Sequence, residues 1–435
     1  MKGPELWEKA KKIIPGGNQL LSKRSERFLP GLWPAYYSKA KGCEVWDVEG
    51  NHYYDFASMG IGTCVLGYAD DDINNTVINA IKNGSMNTLN SYEGIDLAEK
   101  LIKLHPYAGM VRFARTGGEA CAIAIRIARA ATNKTKVAFC GYHGWHDWYL
   151  SANIASSSNL DGLLLPGLEP KGVPRELRET AIPFEYNDLK KLEEIVENYN
   201  NEIGVIIMEP RRDTPPKPGF LKAVRKIANE INAVLIFDEV TSGFRMNLGG
   251  IHMYLNVMPD IAVFGKAMGN GFPITAIVGK EDVMDAAQDT FISSTFWTER
   301  IGFVASLATL EKMEANNVQK ELIRLGDLII SGWEKISRKN NVPIQISGIP
   351  PLPHISFEAD EPFAVQTLYA QDMLEKGYLL GPSIYTTSAY TDSIIDKFLI
   401  NSDIAFKKIR EALDSGDIRK YLKGEILSQG FKRLT

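Results

Sequence analysis

Residues 234–239 read VLIFDE, an apolar run that ends in two acids. Similar continuous apolar runs are KVAFC at 136–140, IGVIIM at 203–208 and IAVF at 261–264. Helix-like stretches alternate with them, at 95–104, 119–131, 188–199 and 220–230. Short apolar strands that alternate with helices are typical of a mostly parallel sheet covered on both faces. The sequence therefore predicts an α/β fold for the central part of the chain.

The two ends of the chain have a different pattern. Residues 35–56 predict a small meander of strands with a turn at 49–51. Beyond residue 310, predicted helices at 317–338 and 402–414 flank strand-like segments at 343–347 and 354–358. Because a small meander needs a partner sheet, we expect both termini to form one smaller α+β domain. The predicted divisions are 1–60 for the N-terminal helix and meander, 61–310 for the large domain, and 311–435 for the C-terminal part of the small domain.

The composition is that of an ordinary soluble globular protein. The chain has 435 residues, is 45% hydrophobic and 23% charged, and has a net charge of -4. This weakly acidic balance offers no surface for nucleic acid or an anionic membrane, so neither is expected as a partner. Residues 1–17 form a mixed-charge amphipathic pattern rather than a secretion signal. The four cysteines lack paired spacing, which predicts reduced core residues and a cytoplasmic location.

Polar residues follow the ends of four predicted strands. Glu209, Asp238 and Lys266 stand at or just beyond three of these ends, and GYHGWHDW (141–148) follows the fourth. Ligands of open α/β sheets bind outside the carboxyl ends of the strands. The sequence therefore predicts a single site at one edge of the sheet.

Two of these residues each have a structural and a functional interpretation. Asp238 is either a helix cap or the partner of a buried cationic heterocycle, such as a protonated pyridine nitrogen. Lys266 is either a surface lysine with a packed stem or a nucleophile whose pKa is lowered by partial burial. Gly265, Gly269 and Gly271 would give clearance for a cofactor. The occurrence of Asp238 and Lys266 together, at two strand ends, favours the functional interpretation of both.

A glycine-rich helix start predicts an anion site. Thr116-Gly117-Gly118 precede a helix that is clear from Glu119 onward. Free N–H groups at such a start bind anions, and Thr116 can cap the helix at the same time. The glycine-rich segments 60–67 and 265–271 match neither the dinucleotide nor the P-loop pattern, so a nucleotide site is disfavoured.

The segment that follows the strand at 136–140 has two further interpretations. Cys140, His143 and His146 would suggest zinc, but their spacing is not that of a structural zinc site, and no metal is predicted. An aromatic ring at this strand end could instead stack on a flat cofactor, with Tyr142 or His143 as the candidate.

In their order along the chain, these segments resemble the class III pyridoxal-phosphate-dependent aminotransferases of fold type I, and among them most the glutamate-1-semialdehyde 2,1-aminomutases. The matching segments are IIPGG (13–17), WDVEGNHYYDF (46–56), MVRFARTGGEACAIAIRIARA (110–130), GYHG (141–144), EP (209–210), FDEVTSGFR (237–245), GKAMGNGFPITAIVG (265–279) and ST (294–295). The resemblance implies pyridoxal 5'-phosphate as the cofactor and a homodimer with shared active sites.

The resemblance also implies residue roles. Lys266 would hold the cofactor as an internal aldimine and shuttle protons, and Asp238 would pair with the pyridinium nitrogen. The other implied cofactor contacts are Gly117 and Gly118 at the phosphate, Tyr142 on the ring, Glu209 nearby, and Ser294 and Thr295 of the partner subunit at the phosphate.

The chain departs from the aminomutase pattern mainly on the substrate side. On the cofactor side, residues 116–119 read TGGE where the aminomutases have Ser-Gly-Thr-Glu, so a hydroxyl contact to the phosphate is lost. Thr386 stands at the position of an aminomutase glutamate, and the segments 211–213 (RRD) and 296–300 (FWTER) also differ from the family.

We therefore predict an aminotransferase that moves an amino group between an amino donor and an aldehyde or ketone acceptor by a ping-pong route. Arg24, Arg211 and Arg300, with Arg212, are candidate anchors for a substrate carboxylate or phosphate, although surface charge would explain each of them as well. The alternative activity is glutamate-1-semialdehyde 2,1-aminomutase, against which Thr386 argues. A catalytically silent cofactor-binding protein and a zinc enzyme are the alternatives from other classes.

Overall fold

The computed structural model describes residues 2–156, 158–161, 166–211, 213–428 and 430. The strands in this part of the chain are β1 Tyr37–Lys41, β2 Glu44–Asp47, β3 His52–Phe56, β4 Met110–Ala114, β5 Lys136–Cys140, β6 Ala181–Pro183, β7 Ile203–Met208, β8 Val234–Asp238, β9 Ile261–Phe264, β10 Thr275–Gly279, β11 Ile344–Ile349, β12 Leu352–Phe357 and β13 Tyr378–Leu380. The helices are α1 Gly3–Ile13, α2 Met59–Gly62, α3 Asp71–Lys82, α4 Glu93–Leu104, α5 Gly117–Thr132, α6 Asp147–Leu150, α7 Leu189–Tyr199, α8 Phe220–Glu230, α9 Ile251–Tyr254, α10 Glu281–Met284, α11 Arg300–Ala315, α12 Val318–Asn340, α13 Pro362–Glu375 and α14 Asp392–Asp414.

The chain divides into two compact units. One is Asp71–Gln319, and the other combines Met1–Asp70 with Lys320–Thr435. Among the described helices, none combines the length and the apolar character needed to span a bilayer.

The unit Asp71–Gln319 is built on a seven-stranded sheet, counted over the described residues, in the order β4-β10-β9-β8-β7-β5-β6. The neighbours from β9 to β6 are all parallel. Only β10 runs against its two neighbours, β4 and β9. The predicted mostly parallel α/β fold is confirmed, and β5, β7, β8 and β9 coincide with the four apolar runs of the sequence.

Both faces of this sheet are buried, which explains why the strand sequences are apolar throughout. In β5, Val137 and Phe139 belong to one core cluster, and Ala138 and Cys140 belong to another. Successive side chains of a strand point to opposite faces, so the two clusters lie on the two sides of the sheet. The first cluster includes apolar residues of α5, and the second includes those of α7 and α8.

The other unit joins the two ends of the chain through one sheet, in the order β1-β2-β3-β13. The predicted meander is β1, β2 and β3, and Gly50 has the left-handed φ of 88° in the turn between β2 and β3. β13 pairs with β3 in parallel, with Tyr378 opposite Tyr54. β11 and β12 form a separate hairpin. The expected smaller α+β unit of both termini is therefore present.

Some elements differ from the prediction. The predicted helix at 402–414 is the second half of α14, which begins at Asp392. The helices α3, α11 and α13 were not predicted, nor were the four-residue helices α2, α6, α9 and α10 or the strands β4, β6, β10 and β13. In α13 every residue from Ala364 to Met373 is buried. A helix buried on all sides has no apolar stripe, so its sequence lacks the periodicity that identifies a surface helix.

Candidate active site

Five loops meet at one edge of the large sheet. The strands β4, β5, β7, β8 and β9 point in the same direction, so their carboxyl ends lie at the same edge. The segments that follow these ends are 115–118, 141–146, 209–211, 239–242 and 265–266. The polar residues that follow the strands in the sequence therefore share one edge, as predicted.

Asp238, the last residue of β8, is a buried carboxylate with three donors. It is 6% exposed and accepts hydrogen bonds from His143 Nδ1 at 2.8 Å, Cys121 Sγ at 3.3 Å and the N–H of Val240 at 3.1 Å. Burial acts to raise the pKa of Asp238, but the hydrogen bond and charge of His143, with the other two donors, outweigh it and lower the pKa. The side chain is therefore anionic, which is the form that pairs with a protonated pyridine nitrogen.

His143 supports this carboxylate and is not available as a stacking ring. Its side chain is fully buried, and its Nε2 lies 3.0 Å from the carbonyl oxygen of Cys140. Both ring nitrogens thus lie within hydrogen-bond distance of protein oxygens, which fixes the orientation of the ring. The possible ligand atoms of Cys121, His143 and Asp238 lie within 4.8 Å of one another. His143 thus groups with Cys121, rather than with the thiol of Cys140 that the sequence suggested.

Lys266 lies at the strand end next to Asp238. It is half-buried, and its Nζ donates to Thr241 Oγ1 at 2.8 Å. Its φ of 42° is left-handed, a conformation that costs a non-glycine residue about 1–2 kcal/mol. Strained backbone of this kind persists where the surrounding structure enforces it, often at functional positions. The predicted lowering of the pKa of Lys266 stays a prediction.

The glycines beside Lys266 have a packing role. A methyl group built on Gly265 would lie 2.9 Å from Cγ2 of Thr275, and one on Gly269 would lie 2.8 Å from Cγ2 of Ile274. Both contacts are with the protein itself, at the start of β10. The structure therefore explains these two glycines by close packing rather than by the predicted clearance for a cofactor.

The start of α5 combines a cap with open N–H groups. Thr116 Oγ1 accepts from the N–H of Glu119 at 3.4 Å, and the Glu119 carboxylate accepts from the N–H of Thr116 at 2.9 Å. This capping box leaves the N–H groups of Gly117 and Gly118, the first two of the helix, with no preceding turn to supply acceptors. The two roles foreseen for this segment, helix cap and anion site, are compatible.

Val240 lies close to the start of α5, to Asp238 and to the end of β9. A methyl group built on Gly117 would lie 3.1 Å from Val240 Cγ1, and one built on Gly265 would lie 3.5 Å from the same atom. The N–H of Val240 also binds Asp238. The helix start, the carboxylate and the strand end before Lys266 therefore converge on one residue.

Tyr142 and Glu209 lie at the same edge. Tyr142 is half-buried at the margin of the core cluster on the α5 side of the sheet, with its ring edge-on to that of Tyr149 at 5.7 Å. A methyl group built on Gly141 would lie 2.9 Å from Glu209 Oε2. The Glu209 carboxylate is therefore next to the backbone that leads into Tyr142.

Ser294 and Thr295 are exposed in the single chain. Thr295 begins a short 3-10 turn, Thr295–Thr298. Arg115, the residue before Thr116, donates from Nε to the carbonyl oxygen of Phe296 at 2.7 Å. The turn is therefore anchored to the residue before the start of α5, while the side chains of Ser294 and Thr295 are exposed.

The candidate substrate arginines have three different environments. Arg300 donates from Nε to Glu93 Oε1 at 2.8 Å, and this hydrogen bond raises the pKa of Arg300. Arg24 belongs to the unit of the two termini, where a methyl group built on Gly16 would lie 2.5 Å from its Nη2. Arg211 follows β7, and its Nε is buried without a hydrogen-bond partner in the described chain. Arg212 lies outside the described residues.

The sequence did not single out three residues that the structure places in the site. Thr241 binds Lys266, Cys121 binds Asp238, and the ring of His146 lies against Gly118. The position of Cys121 on the helix that starts at the anion site was the available signal. Thr241 lies in the loop after Asp238, and His146 had been considered only as a zinc ligand.

The site residues fit pyridoxal phosphate, the cofactor that the motifs imply. A buried anion suits a protonated ring nitrogen, a glycine-opened helix start suits a phosphate, and a partly buried amine suits an aldehyde. A side chain at Gly117 would crowd Val240, so glycine favours the close packing of this helix start on the loop after β8.

Comparison with known proteins assigns the family. The model of aminotransferase class-III matches residues 30–402. The chain is 39% identical to a 3-aminobutyryl-CoA aminotransferase of Cloacimonas acidaminovorans, over 82% of this chain and 83% of that protein. It is 32% identical to a glutamate-1-semialdehyde 2,1-aminomutase of Methanosphaera stadtmanae, over 94% of this chain and 99% of that protein. The PLP internal aldimine form of the FumI protein of Sphingopyxis sp. MTA144 superimposes with a TM-score of 0.86 at 26% identity. The match covers 95% of this chain and 98% of that chain.

We expect a His143→Gln substitution to raise the pKa of Asp238. Burial raises this pKa, and the variant lacks the charge of His143 that lowers it. A carboxylate with a depressed pKa pairs with a cation above that pKa and loses the pairing as the pH falls through it. In the variant, cofactor affinity should therefore fall at a higher pH than in the parent, and should be about tenfold weaker at neutral pH. Absorbance titration of the cofactor-free protein with pyridoxal phosphate over a pH series measures both effects.

Cys121→Ala is the matched control, since it removes the longer thiol donor to the same carboxylate. In Cys121→Ala, cofactor affinity should fall at a pH between those of the parent and of His143→Gln. Identical pH profiles for parent and His143→Gln would contradict the assigned role of His143.

Proposed function

Because this chain belongs to the class III aminotransferases, which use pyridoxal phosphate, we propose that Lys266 is the residue that bonds to the cofactor aldehyde. The observation that carries this assignment is the convergence around Val240 of the Asp238 carboxylate, the start of α5 and Gly265, the residue before Lys266. The hydrogen bond from Lys266 Nζ to Thr241 supports it, because it holds the amine at the strand end.

The cofactor, once bound, supplies an electron sink for a substrate carbanion and carries the amino group between two substrates. Asp238, held anionic by His143, keeps a proton on the ring nitrogen. The N–H groups of Gly117 and Gly118 bind the phosphate, and Tyr142 covers one face of the ring. The amine of Lys266 takes a proton from the substrate carbon and returns it. The enzyme thus transfers an amino group from a donor to an aldehyde or ketone acceptor by a ping-pong route.

The proposed amino substrate is a 3-aminoacyl compound, either as the free acid or as its coenzyme A thioester. The support is the 39% identity to a protein named for 3-aminobutyryl-CoA. Arg211 is the proposed contact for a substrate oxygen, because it follows β7 at the site edge and its Nε is buried without a hydrogen-bond partner in the described chain. Glutamate is the proposed amino compound of the other half-reaction.

The alternative activity, glutamate-1-semialdehyde 2,1-aminomutase, has its own support. The relative of that name is 32% identical along nearly its whole length. Thr386 argues against it, because its hydroxyl is buried and faces the carbonyl oxygens of Leu322 and Pro351 at 3.3 and 3.1 Å. A buried hydroxyl engaged with backbone cannot act in place of a carboxylate.

We also propose a cytoplasmic homodimer. The four cysteines are free and buried, as expected of a protein from a reducing compartment. The exposed hydroxyl groups of Ser294 and Thr295 would complete the phosphate site of the second subunit.

Borohydride reduction of the loaded enzyme should leave the cofactor attached to the peptide that contains Lys266, as measured by mass spectrometry. Lys266→Ala should show no attached cofactor, because the variant lacks the amine. Thr241→Val, which removes only the hydroxyl partner of the amine, should still carry it and serves as the control. Attachment at another lysine, or retention in Lys266→Ala, would refute the assignment.

Substrate choice is tested by adding each amine alone to the loaded enzyme and following the loss of the cofactor absorption band. We expect 3-aminobutyryl-CoA or 3-aminobutyrate to react at least about tenfold faster than glutamate-1-semialdehyde. Arg211→Ala should slow the faster of the two reactions, whereas Arg300→Lys should leave it close to the parent rate. Faster conversion of glutamate-1-semialdehyde to 5-aminolevulinate would establish the aminomutase instead.

Thr295→Ala should weaken pyridoxal phosphate binding about tenfold, by loss of one hydrogen bond to a charged group. Thr298→Ala is the matched control, since Thr298 is an exposed hydroxyl on the same turn that donates to the carbonyl oxygen of Thr295 at 2.9 Å. Its affinity should equal that of the parent. A monomer in light scattering, or equal affinities for the two variants, would contradict the shared site.

A further inference from the structure

The space beside Gly118 is filled by an imidazole. A methyl group built on Gly118 would lie 3.2 Å from Nδ1 and 3.3 Å from Cε1 of His146. One built on Gly144 would lie only 2.7 Å from the Cα of Gly118. The loop 141–146 is therefore packed closely on the start of α5, and a side chain at position 118 would have to displace the ring of His146 slightly.

His146 presents a polar atom to this space. Its Nδ1 is buried and makes no hydrogen bond in the described part of the chain. The ring is held by stacking on Trp145, with centroids 4.4 Å apart and planes inclined by 26°. A buried polar atom without a partner is costly in a native protein and needs an explanation. A ligand that bonds to Nδ1 would provide one.

A neutral ring of His146 can still donate a hydrogen bond to an anion. Burial lowers the pKa of His146, and the nearby carboxylates of Glu119 and Asp147 oppose that effect. A neutral imidazole carries its proton on one of its two nitrogens, and the bond that it makes selects which. An anion at the start of α5 would select the form that is protonated at Nδ1.

We propose that His146 binds the phosphate of pyridoxal phosphate through Nδ1–H, in place of the hydroxyl side chain that this chain lacks at Gly118. This inference rests on the proposed placement of the phosphate at Gly117 and Gly118. The residue that the aminomutase motif carries on α5 is thus exchanged for one on the neighbouring loop. His146 belongs to the cofactor site by this assignment, and the zinc interpretation of the segment is unnecessary.

The alternative is that His146 only shapes the loop. Its backbone carbonyl accepts from the N–H of Tyr149 at 2.9 Å at the start of α6, and its ring packs on Trp145. A purely structural role would affect binding of any cofactor analogue equally. A phosphate ligand affects only analogues that carry the phosphate.

The test compares pyridoxal phosphate with pyridoxal, which lacks the phosphate, as ligands of the cofactor-free protein. His146→Ala should bind pyridoxal phosphate about tenfold more weakly and pyridoxal with unchanged affinity. His146→Asn, whose amide nitrogen can occupy the place of Nδ1, should bind pyridoxal phosphate within about threefold of the parent. The phosphorus NMR resonance of the bound cofactor should shift in His146→Ala. Equal loss for both ligands, or no loss, would overturn the proposal.

A second pair of variants tests the exchange itself. Gly118→Thr alone should weaken binding of pyridoxal phosphate, because its Cβ crowds His146. Gly118→Thr combined with His146→Ala should bind it more tightly than His146→Ala alone, since the hydroxyl then fills the vacated place. A double variant no better than His146→Ala would refute the exchange. Thermal unfolding of the cofactor-free variants separates loss of binding from loss of fold.

Different results would refute the proposed function and the role of His146. If the parent protein binds no pyridoxal phosphate, or carries it elsewhere than on Lys266, the proposed function itself falls. If the parent carries the cofactor on Lys266 and His146→Ala binds it equally well, only the role of His146 falls.

Discussion

An ionised carboxylate inside the protein is the constraint on which the site depends. Burying Asp238 without partners would cost several kcal/mol, and three donors prevent that cost. They come from different parts of the fold: Cys121 from α5, His143 from the loop after β5, and Val240 from the chain that follows β8. One charge thereby fixes the relative positions of a helix and two loops, and the same charge is what a protonated ring nitrogen requires.

The antiparallel strand β10 separates the two halves of the candidate cofactor site. It lies between β4, which leads into the helix start proposed to bind the phosphate, and β9, which leads into Lys266. Because β10 runs in the opposite direction, its first residue, Thr275, lies at the same edge as the ends of its neighbours. Thr275 Oγ1 donates to the carbonyl oxygen of Thr116 at 3.5 Å, and its methyl group closes on Gly265. The strand therefore sets the distance between the start of α5 and Lys266, the proposed phosphate and aldehyde ends of the site, and the contacts of Thr275 hold that distance.

The sequence alone predicted the elements whose signals are local. β5, β7, β8 and β9 are continuous apolar runs because both faces of the sheet are covered, and residues that follow such runs fall at one edge by topology. Asp238 and Lys266 were found in this way. Helix α13 was missed because it is buried all round and lacks periodicity, and the three-residue β6 is too short to give a signal.

The partners of the candidate catalytic residues were not predictable in the same way. Cys121 and His143 stand 117 and 95 positions from Asp238 along the chain, so only the packing of α5 and of the loop after β5 brings them to it. The contact between His146 and Gly118 likewise depends on how closely the loop 141–146 packs on a helix start. Such pairings are properties of the tertiary structure, and no spacing rule within the sequence encodes them.

On the substrate side, the proposal of Arg211 rather than Arg300 rests on which of the two guanidinium groups already has a carboxylate partner. Arg300 is already paired with Glu93, a residue only 6% exposed. A substrate that recruited Arg300 would leave that carboxylate buried without its cation, and its binding would have to offset this loss. The Nε of Arg211 is buried without a hydrogen-bond partner in the described chain. A substrate oxygen bound there would satisfy this donor without taking one from an existing pair. The proposals for His146 and Arg211 thus rest on the same kind of observation, a buried polar atom without a hydrogen-bond partner in the described chain.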